Sequence, residues 1–117
     1  MVLVPKSGIW EVPTSLFIRE HLKIAREDYG LNMWRLLQAE RASLGLSVGS
    51  WQTFRNCIWN LKKLGLIRPT RMAPSQYEGQ NKQYYELVPE QLRSRAWINP
   101  RAALYPDSYR RYVRKRP

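Results

Sequence analysis

The stretch that decides the fold is Ser50–Arg71, SWQTFRNCIWNLKKLGLIRPTR. Trp51, Phe54, Ile58 and Leu61 recur at i, i+3, i+7 and i+10, the rhythm of a helix with one buried face. Ser47 or Ser50 can cap that helix. Leu64 extends the apolar side, and Gly65 stands where a helix closes in the left-handed conformation. Leu66 and Ile67 then enter an extended segment. Pro69 has no N–H to give a ladder, which places it on an edge strand or at a strand end. After the loop-like run Met72–Asn81, the segment KQYYELV (82–88) reads as the return strand.

Upstream, two more helices fit the pattern. Ile18, Leu22, Ala25 and Tyr29 share helical spacing after Pro13, and Gly30 is expected to end this first helix. Asn32 is the expected N-cap of the second, with Met33, Leu36, Leu37 and Trp34 on its apolar side and Gly45 as its stop. Downstream, Pro89–Arg95 reads as a short helix, Asn99-Pro100 and Tyr105-Pro106 as breakers, and a last short helix is expected from Pro106. That last helix is too short to hold alone in water and must dock on something. The division that follows is an extended segment at 1–12, a domain at 13–88 and a basic, aromatic extension at 89–117.

The 117 residues suit one domain, and 44% hydrophobic content with five tryptophans is enough to build a core. The net charge of +11 favours a polyanionic partner. Residues 1–61 and 62–92 each carry a net +2, whereas 93–117 carry +7, with Asp107 the sole acid there. One cysteine, Cys57, excludes an intrachain disulfide, and its helical slot beside Ile58 reads as packing. No apolar run approaches the ~20 residues of a membrane span, and the N-terminus MVLVPKSG lacks a signal-peptide core. The expectation is a cytoplasmic or nucleoid-associated protein, neither secreted nor membrane-bound.

Helix, helix, turn, helix, glycine and two-stranded ribbon together resemble the winged helix-turn-helix family, over roughly residues 14–88. Leu61, Leu64, Gly65, Leu66 and Ile67 in NLKKLGLI carry the resemblance, with Phe54 and Ile58 before them. It implies an α+β, mainly α fold of three helices and a two-stranded wing. It also implies that the third helix is a recognition helix, with Gln52, Thr53, Arg55, Asn56, Asn60 and Lys63 facing outward. Arg pairs with guanine and Asn or Gln with adenine in the major groove. Lys62, Arg68, Arg71 and Lys82 stand where a wing meets phosphates. Trp59 departs from the family pattern: a bulky ring at that place covers the DNA face or packs under a terminal extension. Regulators of this family are often dimers, which leaves room for a homodimer.

Beyond the domain, RSRAWINPRAALYPDSYRRYVRKRP interleaves arginine with aromatic residues. Such a mixture suits phosphate neutralisation with stacking. Trp97 and some tyrosines are expected to dock, leaving Arg110, Arg111, Arg114, Lys115 and Arg116 for phosphates. Trp10, Trp34, Trp51 and Trp59 are expected in the core or an interface rather than as ligand-stacking residues, and lone His21 on an exposed polar face. There is no phosphate loop, dinucleotide fingerprint or zinc-protease motif. Glu27-Asp28, expected at the end of the first helix, makes a poor acid/base pair because neighbouring helical residues point apart. The reading is therefore a protein without enzymatic activity or cofactor that binds nucleic acid, duplex DNA favoured over RNA, as a transcriptional regulator or a replication or chromatin accessory factor. The rival is an RNA- or ribosome-associated structural protein.

Overall fold

The structure, a computed structural model, describes residues 14–47, 49–74 and 81–105. It is α+β and mainly helical: α1 (Thr14–Ala25), β1 (Glu27–Tyr29), α2 (Gly30–Ser43), α3 (Trp51–Lys63), β2 (Ile67–Pro74), β3 (Asn81–Leu87) and α4 (Pro100–Leu104), with 3-10 turns at Pro89–Gln91 and Arg95–Trp97. The strands form one antiparallel sheet in the order β1-β3-β2. The sheet thus has three strands where the sequence suggested a two-stranded wing.

The extra strand corrects the reading of residues 26–32. The chain leaves α1 at Arg26, whose φ of 70° is left-handed, and its N–H closes on the Leu22 carbonyl at 2.9 Å. Gly30, expected as the stop, instead opens α2. A Cβ there would sit 3.3 Å from the Trp51 ring, so glycine allows Trp51 to lie against the start of α2. Asn32 lies inside α2, and Tyr29 is the residue before its first turn. Glu27 and Asp28 are strand residues, not helical ones.

Asp28 explains why the chain turns so early. It is 7% exposed, and its carboxylate accepts from three donors: His21 Nε2 at 2.7 Å, Asn32 Nδ2 at 2.7 Å and its neighbour's backbone, Tyr29 N–H, at 2.8 Å. A buried carboxylate needs such partners. These bonds tie α1, β1 and α2 together. His21, expected exposed, is largely covered by them and stacks on Phe17 with ring centroids 6.0 Å apart.

The remaining junctions follow the sequence reading. Ser50 Oγ caps α3 by accepting from Thr53 N–H at 3.1 Å. Both Gly45 and Gly65 have positive φ, and each closes its helix with paired backbone bonds. After α3 these run from Gly65 N–H to Lys62 O and from Leu66 N–H to Leu61 O, both 3.0 Å. Pro69 lies on the edge strand β2, as its missing donor requires. Two expectations are corrected: Met72–Pro74 and Asn81, read as loop, are paired residues of β2 and β3, and the expected short helix after Pro89 is a single 3-10 turn.

The core gathers Ile18 and Leu22 from α1, Met33 and Leu37 from α2, and Phe54, Ile58 and Leu61 from α3, with Leu66, Ile67 and Trp97. Trp97 is fully buried, as the expected docking requires. Its Nε1–H donates to Gln91 O at 2.9 Å, and its carbonyl accepts from the buried Ser15 hydroxyl. Asn99-Pro100, read as a breaker, instead starts α4: Asn99 Oδ1 accepts from Ala102 N–H at 3.2 Å and Pro100 takes the first turn. α4 packs on α3. The helix expected from Pro106 lies outside the described residues.

Trp97→Ala should cost about 3–5 kcal/mol, a large aromatic deleted from a closed core. Asp28→Ala should cost a similar ~3–5 kcal/mol, because it strands donors in a covered site. Urea unfolding followed by circular dichroism measures both, and a loss under about 1 kcal/mol in either would refute the assigned role.

Candidate nucleic-acid interface

α3 has a sharply divided circumference. Phe54, Ile58 and Leu61 are buried, while Gln52, Asn56, Trp59 and Lys63 follow one another at i, i+4, i+7 and i+11 on the opposite side. Arg55 and Lys62, seven residues apart, flank this stripe on one edge; Thr53 and Asn60 flank it on the other. No acidic residue occurs in α3, which carries three cations. Lys62 and Lys63 occupy the last turn, where the helix dipole favours positive charge.

The side chains differ in what holds them. Arg55 and Lys62 are exposed and have no ion-pair partner among the described residues. Gln52 Nε2 donates to Asn56 Oδ1 at 3.1 Å, so the two amides are pre-aligned along the exposed face. Thr53 belongs to the cap, its hydroxyl 3.0 Å from that of Ser50. Asn60 is half-buried. Lys63 Nζ lies over the Trp59 ring, 5.3 Å from its centroid, and that indole is 53% exposed.

The sheet cations are held differently. Register places Glu27 of β1 directly opposite Glu86 of β3, and like charges so placed repel. Arg68 and Arg71 of β2 answer this pair. Arg68 Nε contacts Glu86 at 2.8 Å, and Arg71 Nε contacts Glu27 at 2.7 Å. A register shift between Pro69 and Met72 frees Arg71 from the ladder. Its guanidinium crosses the Tyr84 ring at 3.9 Å to reach Glu27, which also accepts from the Thr70 hydroxyl at 2.9 Å. Arg71 and Thr70 hold the Glu27 carboxyl below its ordinary value, and Glu27 in turn raises Arg71. Stability from this pair is present above the ordinary carboxylate range and is lost as pH falls through the depressed value. Lys82 lies over Tyr29, 4.8 Å from the ring centroid.

The positions expected from sequence thus separate into two groups. α3 presents Arg55, Lys62 and Lys63 without carboxylates, whereas Arg68 and Arg71 are engaged with glutamates. Arg110, Arg111, Arg114, Lys115 and Arg116 lie outside the described residues. The i, i+4 spacing of Trp59 and Lys63 was a readable signal for their pairing. The Glu27–Glu86 opposition was not readable, because nothing in the sequence marked β1 as a strand.

Two other features are accounted for by packing. Trp34 and Trp51 meet edge-on at 5.6 Å, and Trp51 stacks on Phe54 at 6.1 Å, which fixes the turn between α2 and α3. Cys57 packs against the core, and burial pushes its thiol up to about 12. It stays protonated, as a packing residue does. Among the described residues no cluster of metal-ligating side chains occurs, and no helix is long and apolar enough to cross a membrane. No protein-family model and no curated protein matches the chain.

Glu27→Gln should release Arg71 and move elution from immobilised heparin to higher salt. Glu90→Gln removes the same charge from an exposed residue that pairs with no cation among the described residues, and should move elution less. Equal shifts for the two variants would mean that the Arg71–Glu27 contact does not restrain Arg71.

Proposed function

We propose that the protein is a winged-helix nucleic-acid-binding protein, acting on duplex DNA as a transcriptional regulator or a replication or chromatin accessory factor. The observation that carries the reading is the outward face of α3, cationic, amide-bearing and free of carboxylates. The residue types on that face suit base reading, since Arg55 can pair with guanine, and Gln52 and Asn56 with adenine, in the major groove. Lys62 and Lys63 suit phosphates at the end of the same helix. The three-helix core with an antiparallel ribbon after α3 is compatible with this placement of the helix on DNA.

The arm beyond Tyr105 adds the remaining attraction. Arg110, Arg111, Arg114, Lys115 and Arg116 outnumber the single acid there, Asp107, and a cationic arm of this kind neutralises phosphates without regard to sequence. Sequence choice then belongs to α3 and much of the affinity to the arm. No catalytic step and no cofactor enters this reading.

Selection of bound sequences from a random duplex pool tests it. Enrichment of a motif is expected, and Arg55→Ala should relax one position at a cost of about 1–3 kcal/mol. Lys62→Ala and Arg111→Ala should weaken all duplexes alike, each lowering the slope of log affinity against log salt by about 1. Binding of duplex DNA by the Arg55 and Arg111 variants as tight as that of the natural chain would contradict the proposal. A preference for structured RNA that survives higher salt would support the rival RNA-bound role.

A further inference from the structure

The ring of Trp59 is the largest apolar side chain on the exposed side of α3, and the helix leaves it without a hydrophobic neighbour there. Its stripe-mates are Gln52, Asn56 and Lys63, and its flank holds Arg55 and Lys62. It is not a core residue, because Leu61, on the opposite side of the helix, is fully buried whereas the indole is 53% exposed. It also differs from the anchor of a protein interface, whose core is depleted in charged residues. Charge complementarity selects a polyanion for this face, and a polyanion that offers a flat apolar partner to an indole is a nucleic acid with an accessible base.

We propose that Trp59 is a stacking platform for a base already unpaired within a DNA duplex, so that the α3 face selects distorted over fully paired DNA. This rests on the nucleic-acid reading above and names the ligand of the same face. Stacking of a base on an aromatic side chain is worth about 1–3 kcal/mol. In an intact duplex the base must first leave its stack and its partner, at a cost of a few kcal/mol that cancels the gain. A base that is bulged or mismatched has already met that cost, and the whole stacking gain appears as preference. The neighbours are placed to assist. Lys63 Nζ, 5.3 Å from the ring centroid, holds one face of the indole while leaving the ring exposed. Lys62, on the flank of the same stripe, suits a phosphate beside the extruded nucleotide. Asn56, one turn away, has the donor and acceptor to meet the base edge.

The test is the affinity for two short labelled duplexes, identical except that one carries a single unpaired base, measured by fluorescence anisotropy at fixed salt. The full chain should bind the distorted duplex about 5- to 150-fold more tightly, the fold-change equivalent of the stacking energy. Trp59→Ala should erase that preference while leaving the fully paired duplex nearly unaffected, and Trp59→Phe should retain part of it. Because the ring is exposed, thermal melting of both variants should match the natural chain. If the natural chain binds the two duplexes equally, the stacking proposal falls and the duplex-binding reading stands. If Trp59→Ala keeps the preference, or binds everything as the natural chain does, the ring serves another partner and the proposal is overturned. If the natural chain binds neither duplex, the nucleic-acid reading itself is wrong and the inference falls with it.

Discussion

The buried carboxylate of Asp28 sets the frame for everything else. Its bonds to His21, Asn32 and the Tyr29 backbone force the chain out of α1 at Arg26, through a short strand and directly into α2. That strand becomes an edge of the sheet, and its arrival brings Glu27 against Glu86. Arg68 and Arg71 are drawn in to offset the repulsion, and the sheet face neutralises most of its own positive charge. One satisfied buried charge therefore sets the contrast between the sheet, where Arg68 and Arg71 meet glutamates, and α3, where Arg55, Lys62 and Lys63 meet none.

α3 is fixed from both sides by separate devices. Its start is capped by Ser50 and steadied by the Trp34–Trp51–Phe54 contacts, with Gly30 making room for Trp51. Its end is closed by Gly65, and α4 packs on it after Trp97 has entered the core. A helix held this way presents its outer stripe at fixed spacing, which is what recognition of a regular polymer requires. The same rigidity gives an exposed indole a defined direction.

Much of this was legible from residue types and spacing. Phe54, Ile58 and Leu61 announced the buried face of α3, Ser50 and Gly65 marked its ends, and Trp97 was expected to dock. The signals that misled were those with two physical meanings. Gly30 looked like a helix stop but serves a close contact with Trp51, and Asn99-Pro100 looked like a breaker but begins α4. Tyr29 fitted a helical period although Asp28 had already ended the helix. Lone His21 looked solvated because its partner lies on another element. The ion pairs of Arg68 and Arg71 were hidden for the same reason: their glutamates become visible only when strand register supplies them.

If the carboxylate-free face of α3 is where this protein meets DNA, a bound duplex must perturb that face before any other. Titration of the isotopically labelled chain with a short duplex, followed residue by residue by nuclear magnetic resonance, reads this without an intermediary. The largest shifts are expected at Gln52, Arg55, Asn56, Lys62 and Lys63, with smaller ones at Glu27, Tyr84 and Glu86 on the sheet. Shifts concentrated on the sheet, or none along α3 at duplex concentrations that saturate binding, would contradict it.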